Sequence, residues 1–160
     1  MRFVHAGEED ADEILRLYRS LLDCEGCVWD VNYPSRKEID FDLSRNSLFC
    51  LRDQNGTLAG VVSIDDDPEV ERLACWSKEL RPVAEVSRLG VSKEYQNQKI
   101  AARLLESAME ELRKRGYRAV HYLVCKEHIR ARHAYERLEF RLVGETVLMG
   151  HNYLCYEKAL

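Results

Sequence analysis

The stretch from Ala84 to Leu105 constrains the fold more than any other part of the chain. It reads AEVSRLGVSKEYQNQKIAARLL, in which an apolar run over Ala84–Val91 is followed by a short polar segment. From Ile100 to Leu112 the apolar residues recur at helical spacing, and the pattern stops at Gly116. Such a sequence predicts a strand, a tight loop and an amphipathic helix in direct succession.

The start of that helix is a candidate anion site. The first amides of a helix have no partner within the helix, and its dipole is positive at that end. Ala101 and Ala102 are small enough to let an anion approach the backbone, and Lys99 and Arg103 add positive charge. The pattern suits a pyrophosphate. An ordinary strand-loop-helix connection remains the alternative.

The rest of the chain alternates strand and helix signals. Asn55-Gly56 marks a hairpin turn, and Ser35-x-x-Glu38 is a capping box that opens a helix containing Ile39 and Leu43. The order of strands and helices along the chain predicts an α/β fold with a mixed sheet and helices on both of its faces. We expect a single domain over residues 1–160. The predicted strands are Phe3–Ala6, Ser47–Arg52, Leu58–Ile64, Arg118–Cys125, Val143–Leu148 and Tyr153–Glu157, and the further helices cover about 9–23, Glu69–Lys78 and Ile129–Leu138.

Composition narrows the function classes. The formal net charge is −4, which gives no broad electrostatic reason to bind nucleic acid or an anionic membrane. No apolar run is long enough to span a bilayer, and residues 1–25 are acidic rather than apolar, so we expect a cytoplasmic protein with reduced thiols. Cys24-x-x-Cys27 lacks the second pair that a zinc site needs, so no metal is expected. An accidental turn is the simpler interpretation of this pair, with a redox pair as the alternative.

Two motifs resemble the GCN5-related N-acetyltransferase (GNAT) superfamily. The acyl-CoA loop of that family reads Q/R-x-x-G-x-G/A, and here Gln96-Asn97-Gln98-Lys99-Ile100-Ala101 matches at its first and last positions. Lys99 departs from the pattern by replacing the first glycine. A later family helix reads N-x-x-A-x-x-x-Y-x-x-x-G-F, and the stretch from His128 to Phe140 matches at Ala131, Tyr135 and Phe140. His128 stands where the family often has asparagine.

The resemblance implies a mostly antiparallel sheet of about seven strands in which one strand pair splays apart to receive acyl-CoA. It places Leu89 and Val91 beside the pantetheine arm, with the Leu89 amide as an oxyanion donor. It also implies that His128 contacts the cofactor. The pyrophosphate would lie on the residues of the loop and first helical turn, namely Gln96, Asn97, Gln98, Lys99, Ile100, Ala101 and Ala102.

The same resemblance suggests two catalytic residues. Tyr135 lies at the usual acid position, where a phenol would protonate the leaving thiolate, although a core aromatic is the alternative. Glu85 resembles the base of the histone-acetylating branch, with a surface or salt-bridging glutamate as the alternative. Strand alternation predicts that Glu85, Ser87 and Leu89 share one face, unless the bulge expected near Leu89 intervenes.

These features together predict an N-acyltransferase that uses acetyl-CoA to acylate a primary amine of a small molecule or protein by direct attack. The alternatives are an inactive CoA-binding module of the same fold and an unrelated nucleotide-binding α/β protein. Trp29 and Tyr33 could form an acceptor wall or simply pack, and Asp65-Asp66-Asp67 could attract a cationic amine or form a solvated turn. His121 and His133 are expected to be structural, and a homodimer is possible.

Overall fold

Seven strands form one sheet in the computed structural model, which describes residues 1–160. The sheet order is β1-β2-β3-β4-β5-β7-β6, and every neighbouring pair is antiparallel except β4 and β5. The strands are β1 Arg2–His5, β2 Leu48–Arg52, β3 Leu58–Asp65, β4 Val83–Val91, β5 Ala119–Cys125, β6 Arg141–Leu148 and β7 His151–Ala159.

Five α-helices flank the sheet, and none is long and apolar enough to cross a membrane. They are α1 Ala11–Ser20, α2 Arg36–Ser44, α3 Pro68–Glu71, α4 Ile100–Lys114 and α5 Ile129–Arg137. The predicted capping box is present, since Ser35 Oγ accepts from the Lys37 amide and the Ser35 amide donates to Glu38. The predicted third helix was too long: α3 ends at Glu71, and the chain then turns without helical structure.

The two faces of the sheet carry separate apolar clusters. Side chains of α4 such as Leu104 and Leu105 pack with Val86, Val120 and other strand residues in a cluster of 20 buried residues. The opposite face packs α1 and α2 over β2 and β3 in a second cluster of 10 buried residues. Helices therefore cover both faces, as the sequence predicted.

The two parallel strands, β4 and β5, separate part of the way along their length. Val83–Val86 pair with Ala119–Tyr122, but β4 then continues only beside β3 while β5 continues beside β7. Beyond Val86, the β5-facing edge of β4 pairs with no strand. This opening is the splayed strand pair that the family resemblance implied, and the mixed, mostly antiparallel fold is confirmed.

A bulge in β4 changes which side chains share a face. The register of β3 with β4 shifts by one residue between Val61 and Ser63, and Arg88 adopts a positive φ of 46°. Arg88 therefore points toward α2 and binds Asp42, on the same side as Glu85, while Leu89 packs against the α4 cluster. The bulge expected near Leu89 is therefore present, and the simple alternation of faces stops at Arg88.

Candidate active site

The loop before α4 presents a row of unused backbone donors. The amides of residues 97 to 102 donate to no protein acceptor. Gly60 lies beneath, where a Cβ would stand 2.8 Å from the Gly90 carbonyl oxygen and from a Leu104 methyl. The absence of a side chain at Gly60 therefore lets α4 pack closely on β3. The result is a helix N-terminus with six free donors, an arrangement suited to a phosphate group.

Lys99 keeps the backbone shape that a glycine would give. It adopts the left-handed conformation, with φ 60° and ψ 22°, immediately before the helix begins. Asn97 has a similar φ of 61°. A non-glycine residue in this region costs about 1–2 kcal/mol. The substitution in the family motif thus leaves the loop geometry in place at a cost in backbone strain.

Two glutamine side chains brace this loop. Gln96 Nε2 lies 3.4 Å from the Val91 carbonyl oxygen, and Gln98 Nε2 donates to the Glu94 carbonyl at 3.0 Å. Both amide groups thus bond to backbone oxygens and leave the main-chain N–H row free. The loop shape is therefore fixed largely by its own side chains.

A strap formed by residues 23–27 runs from the loop to the start of α5. Asp23 binds Lys93 Nζ at 2.6 Å, and Gly26 packs against the backbone of His128. Cys24 lies 3.9 Å from Gln96 Nε2, and both cysteines of the strap are free thiols. Burial raises the pKa of the Cys27 thiol, which does not favour a reactive thiolate.

His128 is the N-cap residue of α5 and lies a few residues after the end of β5. Its Nδ1 accepts a hydrogen bond from the Ala131 amide at 3.2 Å, so it caps the helix. Burial lowers the pKa of His128, which favours the neutral ring that this cap requires. Any contact with a cofactor would have to come from the rest of the ring.

Tyr135 is a buried member of a pair of phenols. Its side chain is 2% exposed, and its hydroxyl lies 2.9 Å from the hydroxyl of Tyr122, a residue the sequence analysis did not single out. Tyr122 is the last β5 residue paired with β4, so the two hydroxyls lie where the strands separate. Burial raises the pKa of Tyr135 well above 10 and that of Tyr122 to about 12, and both phenols stay protonated.

Glu85 lies on the other face of the same strand pair. It is 7% exposed, and its carboxyl group accepts no hydrogen bond from the protein. Burial raises the pKa of Glu85 to about 8, and the charges of Asp65, Asp67 and Glu71 raise it further while Arg88 lowers it. A carboxyl group with a pKa near neutrality can exchange a proton at physiological pH.

Arg88 is held by carboxylates beside Glu85. It makes a double contact with Asp42, at 3.0 and 2.7 Å, and binds Asp65 at 2.9 Å. The Asp65 carboxylate is therefore paired and mostly buried, and it is not part of a solvated turn. Arg88 Nη1 also lies 3.3 Å from the hydroxyl of Tyr33. Of the two aromatic residues expected near the acceptor, Tyr33 borders this network, whereas Trp29 packs edge-on against Tyr18.

His121 forms a second buried network next to Glu85 in the sheet register. It is fully buried, its Nε2 lies 3.1 Å from Glu157 Oε2, and Trp76 stacks on its ring at 3.7 Å. Glu157 also accepts hydrogen bonds from the backbone and hydroxyl of Ser77. His121 thus anchors the segment after α3, as a structural histidine, while His133 is exposed on α5.

The predicted site residues thus lie around one opening. Leu89 and Val91 line the unpaired edge of β4, the donor row lies at its end, and Glu85 and Tyr135 approach from opposite faces. Three neighbours that the sequence analysis did not assign to the site, Tyr122, Arg88 and Asp42, complete the arrangement. No local pattern identified them, because each acts through a partner far along the chain.

Comparison with known proteins gives a consistent result. The model of the acetyltransferase (GNAT) family matches residues 14–140. No curated protein matches the sequence. Among solved structures, the ribosomal-protein-alanine N-acetyltransferase of Brucella melitensis aligns with a TM-score of 0.78 and 17% identity, covering 100% of both chains.

Two further structures show the same fold. A GNAT-family acetyltransferase from Streptococcus agalactiae aligns with a TM-score of 0.84 and 16% identity, covering 99% of this chain and 95% of its own. The protein yncA of Salmonella typhimurium, solved with its cofactor acetyl-CoA, aligns with a TM-score of 0.74 and 15% identity. The alignment covers 99% of this chain and 93% of that chain. At such identities the likeness concerns the fold.

Proposed function

We propose that this chain, which belongs to the acetyltransferase (GNAT) family, transfers the acetyl group of acetyl-CoA to the nitrogen of a primary amine. The observation that carries this proposal is the row of six free amides at residues 97 to 102, beside the opening between β4 and β5. A pyrophosphate needs several N–H donors, and the backbone has unpaired ones there.

The residues present fit acetyl-CoA along the whole opening. The amides of residues 97 to 102 would hold the pyrophosphate, and the unpaired edge of β4 at Leu89 and Val91 would accept the pantetheine arm as an added strand. When bound, acetyl-CoA supplies the thioester that the amine attacks. An N–H on the free edge near Leu89 would donate to the carbonyl oxygen of the thioester.

Proton transfer would be divided between the two faces of β4. An amine reaches the opening as an ammonium ion at neutral pH. The pKa of Glu85 is about 8, so its ionised fraction, which grows as the pH rises toward that value, would remove the proton of the ammonium ion. Tyr135 stays protonated and would donate toward the sulfur, while Tyr122, at 2.9 Å, replenishes or orients that proton. Separating acid and base by the sheet prevents the two groups from neutralising each other.

The anion site is tested by a matched pair of variants, Ala101→Glu and Ala101→Gln. The two new side chains have the same size, but only glutamate places a negative charge beside the free amides. Acetyl-CoA should raise the melting temperature of the wild type. The Ala101→Glu variant should lose this increase more completely than the Ala101→Gln variant. Equal shifts in both variants would place the phosphates elsewhere.

Activity is tested by release of free thiol from acetyl-CoA with a panel of amines, corrected for the six protein cysteines. Amine-dependent release that depends on Tyr135 supports the transferase. Binding of acetyl-CoA without release from any amine would instead support the alternative of a CoA-binding module.

A further inference from the structure

The surroundings of Glu85 are strongly anionic, although the site is buried. Asp65, Asp67 and Glu71 all act on the Glu85 carboxylate, whereas Arg88 is the one cation among its main charged neighbours. Asp65 is also the direct cross-strand partner of Glu85. Glu85 is 7% exposed, and its carboxyl group accepts no hydrogen bond from the protein. The neighbouring carboxylates therefore favour a cation or an N–H donor at this position over a second anion.

The guanidinium groups on this side of the sheet already have partners. Arg88 is 8% exposed in its side chain and binds both Asp42 and Asp65. Arg45 also binds Asp42 and Asp65, at 3.0 and 3.3 Å. Arg81 forms an ion pair with Glu71. None of these guanidinium groups can turn to a new anion without giving up a buried or half-buried carboxylate.

This arrangement discriminates between classes of amine. In a free amino acid, the carboxylate oxygens lie within about 4 Å of the amine nitrogen, because only two carbons separate them. An amine placed for proton transfer to Glu85 would bring such a carboxylate into the same anionic region. Because Arg45, Arg81 and Arg88 are already paired, that carboxylate would be repelled and would gain no hydrogen-bonded partner from these three groups.

We propose that the acceptor is a primary amine with no free carboxylate on the carbon that bears the nitrogen. This inference rests on the proposed function. The class comprises simple alkyl and arylalkyl amines and also peptide amines, in which the neighbouring carboxyl group is an amide. It excludes the α-amine of free amino acids.

The test compares triads of acceptors that differ in one group: an amine, its α-carboxylate and the corresponding carboxamide. Tyramine, tyrosine and tyrosinamide form one triad, and isobutylamine, valine and valinamide form another. In thiol release from acetyl-CoA, kcat/KM for the amine or the amide should exceed that for the amino acid by at least about tenfold. A short peptide with a free N-terminus separates small amines from peptide acceptors.

Two variants locate the cause of the discrimination. Asp65→Asn removes one carboxylate and releases part of Arg88, so it should raise the kcat/KM ratio of amino acid to amine by about threefold or more. Glu71→Gln removes a carboxylate without touching Arg88 and should move the ratio in the same direction. Asp66→Asn, at a carboxylate that is 76% exposed, is the matched control and should leave the ratio unchanged. Melting temperatures report whether each variant folds.

The outcomes separate this inference from the function on which it rests. Equal rates for the amine, amino acid and amide of each triad overturn the inference and leave the transferase intact. An unchanged ratio in both Asp65→Asn and Glu71→Gln also overturns it, because the anionic surroundings would then not select the acceptor. No thiol release with any acceptor overturns the proposed function and this inference together.

Discussion

The two faces of β4 are built from opposite chemistries, although both are buried. Toward α4, Ala84 and Val86 belong to the larger apolar cluster, and Leu89 packs against it. Toward α2, the same strand presents Glu85 and Arg88. The apolar face stabilises the domain by burial, whereas the polar face holds charges at the point where the strands separate. Apolar packing and buried charges thus lie on opposite faces of one strand.

The charged side chains on the polar face stabilise the fold only while they stay paired. Asp42 is fully buried and accepts hydrogen bonds from Arg88, Arg45 and the hydroxyl of Ser63. Removal of a partner from such a network leaves an uncompensated buried charge. An apolar side chain that is shortened leaves a cavity instead. Substitutions on the two faces should therefore fail in different ways.

The largest expected effect is that of Asp42→Ala on stability. It leaves Arg88 buried with only Asp65 as an anionic partner, and we expect a loss of about 3–5 kcal/mol in the free energy of unfolding. Denaturant titration measures this loss. Asp66→Ala, at an exposed carboxylate, is the control and should cost less than about 1 kcal/mol. Similar losses in the two variants would mean that the network is not a significant source of stability.

The Tyr135→Phe variant tests whether a residue on the apolar face takes part in catalysis. It removes one hydroxyl and keeps the ring, so we expect kcat to fall roughly a hundredfold with little change in acetyl-CoA affinity. Tyr122→Phe removes the partner hydroxyl and should have a smaller effect, because Tyr135 then loses only its neighbour. If kcat is unchanged in Tyr135→Phe while the melting temperature falls, Tyr135 is a packing residue.

The sequence predicted those parts of the fold that depend on neighbouring residues. Helix α4 follows from the spacing of Ile100, Leu104 and Leu105, and α2 from the capping box of Ser35 and Glu38. Both signals lie within a few turns of chain, so local physics determines them. The loop before α4 was predicted from the same kind of local signal, because the strand, the polar segment and the helix follow one another directly in the sequence.

The charge networks could not be predicted from the sequence. Arg88 and Asp42 are 46 residues apart, and no periodicity relates them. The predicted helix over Glu69–Lys78 failed for a similar reason. Trp76 folds back, donates from Nε1 to the Val70 carbonyl and stacks on His121, so a distant strand determines the local backbone. Tertiary contacts of this kind override helix propensity.

Glu85→Gln should change how stability depends on pH. The folded-state pKa of about 8 lies above the ordinary value of 4.5, so between these pH values the folded protein keeps a proton that the unfolded chain releases. Wild-type stability should therefore fall as pH rises through this window. The variant lacks this ionisation, and its advantage over the wild type should grow by about 4 kcal/mol from pH 4.5 to 8.5.

Denaturant titrations at several pH values measure that difference. Glu145→Gln is the control, because Glu145 is 59% exposed and its substitution should leave the pH dependence unchanged. Parallel stability curves for wild type and Glu85→Gln would contradict a raised pKa at this carboxyl group. They would also show that burial on the polar face does not raise the pKa of Glu85.

The smallest expected effect concerns Lys99, at the end of the same strand-loop-helix unit. Lys99→Gly relieves left-handed strain of about 1–2 kcal/mol but adds freedom to the unfolded chain worth about 0.5–1 kcal/mol, so a net gain of about 0.5 kcal/mol in stability is expected. Lys99→Ala keeps the strain and should show no gain. Both variants lose the ammonium group, so an equal fall in acetyl-CoA affinity would identify a phosphate contact. A stability gain in Lys99→Ala as large as in Lys99→Gly would show that the backbone at this position is not strained.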